Sequence, residues 1–281
     1  MKISTLKALL GVQTQTDREH LMVSWIVNYV IHEIPNAKIV VDSHRNVFVT
    51  RGQAEHYPCV AAHIDTVQPF REVEILKQGT RLVGYTVDPV RRERVQCGIG
   101  ADDKTGIFVS QNLLKKFNVI SAVFFAGEEH GMIGARAADP EFFRQVAYMV
   151  EYDCPSRHMV SYTCGGERLF MNDGDFIQTA NPVLKKHGST LWQSHPYTDV
   201  LTVRRRFPIS CLNLSSGYYN WHAKDEFVSL PDVELALELG GALIKALDHR
   251  PYPAPIGSIA DVDHARPLQK VGGLFVPEAA P

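Results

Sequence analysis

The first stretch with a regular hydrophobic pattern lies near the N-terminus. Its apolar side chains recur every three or four positions, which predicts an amphipathic helix. The side chains on the shared face are Val23, Ile26, Val30 and Ile34. Thr16 and Glu19 have the spacing of a capping box at the start of this helix. Pro35 ends it, because proline has no backbone N–H to continue the hydrogen-bond ladder.

Four continuous apolar runs are typical of strands that are covered on both faces. They span residues 59–62, 119–126, 147–152 and 209–214. Residues 38–41 and 46–50 predict a hairpin, and the alternating pattern of residues 73–97 predicts a small peripheral β region.

Two further helices alternate with these strands. Residues 103–117 carry aligned apolar positions, and residues 231–248 follow Ser229 and Asp232, which have the spacing of a helix cap. Strands that alternate with helices predict an α/β domain, in which helices cover both faces of a largely parallel sheet.

The composition changes near the end of the chain. Six of the 16 prolines fall within residues 251–281, which show little periodicity. We therefore divide the 281 residues into a single folded domain, 1–250, and a Pro-rich C-terminal tail, 251–281. We expect this tail to lie over the surface, to mediate assembly or to be partly disordered.

Net charge indicates which classes of partner to exclude, and cysteine content indicates the redox state of the compartment. Lys and Arg number 29 against 31 Asp and Glu, so the chain lacks the basic character of nucleic-acid-binding and membrane-surface proteins. The 5 cysteines are scattered without a CxxC pair, which favours free thiols in a reducing, cytoplasmic compartment. We expect no cleaved leader and no transmembrane helix, because the first apolar stretch stops at Val12 and no later run is long enough.

Side chains of the kind that bind metals follow the predicted buried strands. Open α/β sheets place their sites at the carboxyl ends of strands. Each segment alone also fits an ordinary turn, helix start or polar loop. The segments are His63-Ile64-Asp65, Asp102-Asp103, Glu128-Glu129, Glu151-Tyr152-Asp153 and the loop 219–227 with His222.

Together these segments contain two histidines and several carboxylates in a fixed order. Such a set suits two divalent ions bridged by one carboxylate. Of the neighbours Glu128 and Glu129, one could bind metal while the other moves protons. The phosphate-binding patterns GxxxxGK(S/T) and GxGxxG, the GxSxG serine motif and HExxH are all absent from the sequence.

Four motifs resemble those of the co-catalytic zinc exopeptidases, a clan that includes peptidase T, glutamate carboxypeptidase-type hydrolases, secreted leucine aminopeptidases and tetrahedral aminopeptidases. The resemblance covers residues 1–250, and the residues within the motifs are most similar to those of peptidase T. The motifs are His63-Ile-Asp65-Thr-Val, Gly100-Ala-Asp102-Asp-Lys104-x-Gly106, Glu128-Glu129-x-Gly131-x-x-Gly134-Ala135 and Asn220-x-His222-x-x-x-Glu226-Phe-Val228. The resemblance implies a three-layer α/β/α sandwich with a mostly parallel, mixed central sheet of the zinc-exopeptidase (phosphorylase/hydrolase-like) type.

The resemblance also implies five metal ligands. Asp102 would bridge two divalent ions. His63 and Asp153 would complete the first site, and Glu129 and His222 would complete the second. We expect zinc, with cobalt or manganese as alternatives, because mixed histidine and carboxylate sites accept all three metals.

Two further residues would act without binding metal. Asp65 would orient His63, and Glu128 would take a proton from a metal-bridging water and return it to the leaving amine. In this clan the peptide bond after the bridging aspartate is usually cis, so we expect a cis bond between Asp102 and Asp103.

The spacing departs from that of lid-bearing members of the clan. Only 69 positions (222 − 153) separate Asp153 from His222, too few for the lid or dimerisation domain that peptidase T-like members insert there. We therefore expect a form without a lid. Side chains that could replace lid contacts are His195, Tyr197 and the run Arg204-Arg205-Arg206, although a solvated face is the favoured interpretation of most of that run. Asp199 belongs to a Thr-Asp-Val triplet that resembles the TDA/TDG element of these families, which would place it near the substrate amine.

The expected function is a zinc-dependent exopeptidase, either an aminopeptidase or a di/tripeptidase acting on short peptides. The alternative is an amidohydrolase or deacylase acting on N-acyl amino acids or another small amide, because the same metal chemistry serves both. A non-catalytic scaffold is less favoured, because no motif residue is missing. The expected partner is a short peptide or small amide, with no nucleic acid and no membrane, and oligomerisation stays open.

Overall fold

A computed structural model of the chain describes residues 1–172 and 174–256, together with the backbone of two strands, Leu268–Val271 and Leu274–Pro277. The tail predicted at 251–281 therefore lies partly outside the described residues.

Three predicted helices are confirmed in this part of the chain. The helix before Pro35 is α2, the helix predicted at 103–117 is α3, and the helix predicted at 231–248 is α8. The helices are α1 (Ile3–Gly11), α2 (His20–Glu33), α3 (Ala101–Lys116), α4 (Ile133–Ala137), α5 (Pro140–Phe143), α6 (Asp175–Lys186), α7 (Asp199–Arg206) and α8 (Leu230–Leu247).

All of the predicted strands are also present. The strands are β1 (Ala37–Val41), β2 (Val47–Arg51), β3 (Tyr57–His63), β4 (Glu74–Gln78), β5 (Arg81–Val87), β6 (Arg94–Cys97), β7 (Ile120–Phe125), β8 (Val146–Cys154), β9 (Met159–Cys164), β10 (Glu167–Arg168), β11 (Leu191–His195), β12 (Cys211–Ser215), β13 (Tyr218–Tyr219), β14 (Phe227–Ser229), β15 (Leu268–Val271) and β16 (Leu274–Pro277).

The central sheet is mixed, with its parallel strands in the middle. Its order is β1-β2-β7-β3-β8-β12-β9-β10, and β11 pairs with β9. Neighbours among β7, β3, β8 and β12 run parallel, whereas β1, β2 and β10 pair antiparallel. Every residue of β3, β7 and β8 is buried, which explains their unbroken apolar runs. Helix α3 packs on this sheet with α8 beside it, and α7 packs on β12 and β8 with α4 beside it, so the architecture is the expected three-layer α/β/α sandwich.

A smaller sheet joins two distant parts of the chain. Its order is β13-β14-β5-β4, with β6 also paired to β5. Val228 of β14 pairs with Leu82 of β5, so the predicted peripheral β region holds the segment that follows His222. This sheet therefore sets the position of the His222 loop relative to the central strands.

The capping predictions are wrong, although the helices they accompany exist. The Thr16 hydroxyl donates to Asp65 Oδ2 at 2.9 Å, and Glu19 Oε1 accepts from the backbone N–H of Asp17. At α8, Ser229 makes no side-chain cap bond, and Asp232 accepts a hydrogen bond from the Tyr219 hydroxyl. Thr16, Glu19 and Asp232 therefore bond to partners outside the helices whose caps local spacing assigned to them.

The segment between Asp153 and His222 extends the central sheet. It contributes β9, β10 and β11 at one edge and the helices α6 and α7. None of the helices in the described part of the chain combines the length and the apolar character needed to cross a bilayer.

Candidate metal centre

The side chain of His63 is oriented by the turn that follows β3. Its Nδ1 lies 2.9 Å from the backbone carbonyl oxygen of Asp65 and 3.7 Å from the Asp65 carboxylate. Because Nδ1–H donates to that carbonyl, Nε2 is left free to face the neighbouring carboxylates.

The five predicted ligands form two groups that share one residue. His63 Nε2 lies 3.1 Å from Asp102 Oδ1 and 3.6 Å from Asp153 Oδ1. His222 Nε2 lies 3.3 Å from Asp102 Oδ2 and 3.0 Å from Glu129 Oε1. Within each group the ligand-type atoms all lie within 4.8 Å of one another. Asp102 thus directs one carboxylate oxygen to each group.

The electrostatics of this cluster fit a site for cations. Hydrogen bonds that His222 donates to the carboxylates of Asp102 and Glu129 raise its pKa to about 10. Burial lowers the pKa of His63, but the carboxylates of Asp102, Asp153 and Asp65 outweigh it and raise that pKa well above its usual value. These carboxylates therefore stabilise positive charge at both imidazoles. A divalent ion can replace the protons, because histidine binds metal as neutral imidazole, and nitrogen with carboxylate oxygen is a donor set that zinc accepts.

A buried carboxylate shapes the backbone around Asp102. Glu226 accepts hydrogen bonds from the N–H groups of Ile99 and Gly100, both at 2.7 Å, and from that of Asp102 at 3.2 Å. Burial raises the pKa of Glu226 to about 7. The peptide bond between Asp102 and Asp103 is cis, so that expectation is confirmed.

Three residues that sequence reasoning missed hold Asp153. The Thr198 hydroxyl donates to Oδ2 at 2.7 Å, and the Tyr218 hydroxyl donates to Oδ1 at 3.2 Å. Asn213 Oδ1 accepts from the backbone N–H of Asp153 at 2.9 Å. An asparagine inside the apolar run of β12 was the one available signal, since a buried amide needs partners.

The carboxylate of Asp65 braces the loop that carries the two glutamates. It accepts hydrogen bonds from the backbone N–H of Glu128 at 2.9 Å and from that of Glu129 at 3.2 Å. Burial raises the pKa of Glu128 to about 9. Asp65 therefore contacts both sides of the site, through its carbonyl to His63 and through its carboxylate to Glu128 and Glu129.

These groups border a cavity of about 470 Å³, within the range of ~300–1,000 Å³ that small-molecule sites occupy. Among the described residues that line it, none is a lysine or an arginine. The lining residues are His63, Asp102, Glu128, Glu129, Gly131, Met132, Asp153, Pro155, Met159, Gln193, Ser194, His195, Pro196, Tyr197, Tyr218, Trp221 and His222.

The other candidates from residues 154–221 have different positions. His195 and Tyr197 line the cavity. Asp199 is fully buried, and neither of its carboxylate oxygens has a hydrogen-bond partner in the described part of the chain. Burial raises the pKa of Asp199 well above its usual value.

The arginine run is solvated only in part, so the interpretation as a solvated face is wrong for Arg204. Arg204 is buried, and its guanidinium has no hydrogen-bond partner among the described residues. Arg205 forms an ion pair with Glu167, and Arg206 donates to two backbone carbonyls. Helix α7 thus buries Arg204 and leaves Arg205 and Arg206 partly exposed, and none of the three lines the cavity.

Comparisons with known proteins identify the fold. No protein-family model matches the sequence, and no curated protein matches it. Solved structures match over most of their length. Aminopeptidase PepT from Bacillus cereus is 14 % identical, with a TM-score of 0.70, 87 % of this chain covered and 97 % of that chain. A tripeptidase from Staphylococcus aureus is 13 % identical, with a TM-score of 0.71 and the same coverage of 87 % and 97 %.

A third match is the TET1 peptidase from Pyrococcus horikoshii, which is 15 % identical with a TM-score of 0.63, 86 % of this chain covered and 98 % of that chain. At such identities the likeness concerns the path of the backbone. The mixed sheet, its flanking helices and these matches together show that this chain has the fold of the PepT-type and TET-type peptidases, as the sequence motifs predicted.

Proposed function

We propose that the protein is a two-metal exopeptidase, zinc-dependent, that removes N-terminal residues from short peptides. One observation carries this proposal: two groups of ligand-type side chains share Asp102. Both groups and Glu128 border the same cavity. The names of the structural matches, an aminopeptidase and a tripeptidase, support the same reaction class.

In this proposal His63, Asp102 and Asp153 would hold one ion, and Asp102, Glu129 and His222 would hold the other. When bound, divalent ions would supply Lewis acidity to the scissile carbonyl and to the attacking water.

Glu128 accepts a proton from the attacking water and passes it to the leaving amine. A general base must lie within hydrogen-bond reach of the water it activates, and Glu128 lines the same cavity as the ligands. Asp65 keeps the backbone of this loop in place through the two hydrogen bonds described above.

The names of the structural matches, an aminopeptidase and a tripeptidase, favour a peptidase over a deacylase of N-acyl amino acids. The charge of the cavity does not separate the two classes, because the described lining has no lysine or arginine for the free carboxylate that both an N-acyl amino acid and a short peptide carry.

We further propose that residues 1–250 form one catalytic domain without a lid, since the residues between Asp153 and His222 extend the sheet itself. The five cysteines are free and buried, which supports a reducing compartment such as the cytoplasm. The TET1 match assembles into a tetrahedron or an octahedral shell, so the oligomeric state is to be measured along with activity.

The test is an activity screen after removal of metals with a chelator and reconstitution with zinc, cobalt or manganese. The substrates are dipeptides, tripeptides, amino-acid amides and N-acyl amino acids. We expect hydrolysis of the first three classes, dependent on added metal. Hydrolysis of N-acyl amino acids alone would instead identify a deacylase, and no hydrolysis by metal-loaded protein would favour a scaffold.

A further inference from the structure

We propose that the cavity contains an apolar subsite, formed by Trp221, Tyr197, Met132 and Met159, that selects peptides with a large apolar or aromatic N-terminal residue. This inference rests on the proposed peptidase function and adds the substrate class. All four side chains line the same cavity as the candidate ligands.

The two methionines supply a buried apolar wall. Met132 is 7 % exposed and Met159 is 5 % exposed, yet both border the cavity. Thioether side chains adapt to varied apolar shapes and make favourable contacts with aromatic rings. They therefore suit a substrate side chain of phenylalanine or leucine type.

The two aromatic residues come from separate loops and leave much of their surface open. Trp221 is 39 % exposed and Tyr197 is 54 % exposed. A single exposed aromatic residue needs no explanation. Two that border one cavity offer a large apolar area which only a bound group would cover.

The ring of Tyr197 is held in place before any substrate arrives. It lies against Gly165, where an added Cβ would come within 2.6 Å of the ring. The guanidinium of Arg205 lies 5.6 Å from the ring centroid and is itself paired with Glu167. A ring fixed in this way loses little conformational entropy on binding a substrate.

The loop of Trp221 is also fixed. Its neighbours Asn220 and His222 have positive φ angles of 53° and 62°, and Asn220 Nδ2 donates to Asp225 Oδ2 at 2.7 Å. Trp221 therefore stands directly beside a candidate ligand, where it can contact the residue whose peptide bond is cleaved.

The lack of free cationic side chains at the cavity disfavours substrates with an acidic N-terminal residue. Arg205 is paired with Glu167, Arg206 with backbone carbonyls, and Arg204 is buried outside the cavity lining. An acidic substrate side chain would thus find no lysine or arginine in the described lining to offset the cost of its desolvation against the apolar side chains.

The experiment compares kcat/KM for Phe-Ala, Leu-Ala, Ala-Ala, Glu-Ala and Ala-Phe with metal-loaded protein. We expect Phe-Ala and Leu-Ala to exceed Ala-Ala by about 10–200-fold, the range that apolar pockets achieve, and Glu-Ala to be the poorest substrate. Calorimetric titration of the products L-phenylalanine and L-alanine gives a readout besides turnover, with phenylalanine binding more tightly.

Variants assign the effect to the subsite. Trp221→Ala and Tyr197→Ala should each lower kcat/KM for Phe-Ala about tenfold or more. The factor by which each variant lowers kcat/KM for Ala-Ala should be smaller by about fivefold or more. Trp221→Phe should recover most of the preference. Phe70→Ala is the matched control, because Phe70 is 47 % exposed and lines a different groove. Metal content and thermal unfolding are measured for each variant. If either Trp221→Ala or Tyr197→Ala fails to fold, the remaining variant still tests the subsite.

The outcomes separate this inference from the proposed function. Equal kcat/KM for Phe-Ala, Ala-Ala and Glu-Ala would overturn the subsite and leave the peptidase intact. A preference that follows the second residue, seen with Ala-Phe, would also overturn it. Wild-type protein that binds metal but cleaves no peptide would overturn the proposed function and the subsite together.

Discussion

The paired aspartates at the start of α3 take different roles although they are neighbours. Asp102 contacts His63 and His222 in the cluster. Asp103 turns inward, where its carboxylate accepts hydrogen bonds from the backbone N–H groups of His63 at 3.3 Å and Gly106 at 3.0 Å. At the scale of single residues, identity and spacing do not distinguish a candidate metal ligand from a residue that supports the backbone. The contacts of each side chain in the structure make that distinction.

Replacing Asp102 should empty both metal sites, because its two oxygens serve both groups. We expect Asp102→Ala to retain far less than one metal equivalent after dialysis against zinc, measured by elemental analysis. Asp88→Ala is the control, since Asp88 accepts only local backbone hydrogen bonds in a turn. A variant that still bound two ions would contradict the bridging role.

Replacing Glu128 should separate proton transfer from metal binding. Glu128→Gln keeps the size of the side chain and lies outside both donor groups. We expect turnover to fall by about 10² or more, since general acid–base help contributes ~10²–10⁴-fold, while metal content stays unchanged. Glu55→Gln, at a side chain 91 % exposed, should behave as wild type. Wild-type kcat in Glu128→Gln would assign the base elsewhere.

At the scale of elements, one buried amide joins the β1–β2 hairpin to the loop of the glutamates. Asn46 is fully buried. Its Oδ1 accepts from the backbone N–H of Ala126, and its Nδ2 donates to the carbonyl of Gly134, both at 3.0 Å. The loop that carries Glu128 and Glu129 lies between these two anchoring points, so the hairpin supports the site without contacting it.

Asn46→Ala should therefore destabilise the fold by about 1–3 kcal/mol, the cost of leaving buried backbone groups unpaired. Urea unfolding measures it. The control is Asn28→Ala on the exposed face of α2, with an expected change within about 0.5 kcal/mol. Equal stability of the two variants would show that the anchoring bonds are replaced.

At the scale of the whole molecule, the sheet brings together side chains that are far apart in sequence. The carboxyl ends of β3, β7 and β8 lie side by side because these strands are parallel neighbours. The smaller sheet adds the His222 loop through the pairing of β14 with β5. The result is a set of carboxylates whose mutual repulsion cations would relieve.

Added metal should thus stabilise the folded protein. At a free zinc concentration of 100 Kd the gain is ~2.7 kcal/mol, which corresponds to a rise of about 5 °C in Tm for a chain of this size. Calorimetry of chelator-treated protein with and without zinc measures it. Asp102→Ala should show no such rise, and an equal rise in that variant would point to binding elsewhere.

The long elements were predictable, whereas most polar contacts were not. The apolar runs of β3, β7 and β8 identify buried strands because both faces of these strands are covered. Between Asp153 and His222 the sequence predicts only β12, from the apolar run 209–214; the other short strands and helices there carry no comparable pattern and are not predicted. The proposed caps failed at Thr16 and Asp232 because polar groups elsewhere, Asp65 and Tyr219, bond to the same side chains.

The sequence by itself determined the alternation of strands and helices and the order of ligand-type side chains at the strand ends. Local periodicity suffices for this, because each pattern involves residues a few positions apart. Only the tertiary structure decided that Thr198 holds Asp153, that Glu226 supports the backbone of Asp102, and that the arginines of α7 do not line the cavity. Those contacts join residues brought together by the pairing of distant strands and the packing of helices on them, which no local pattern records.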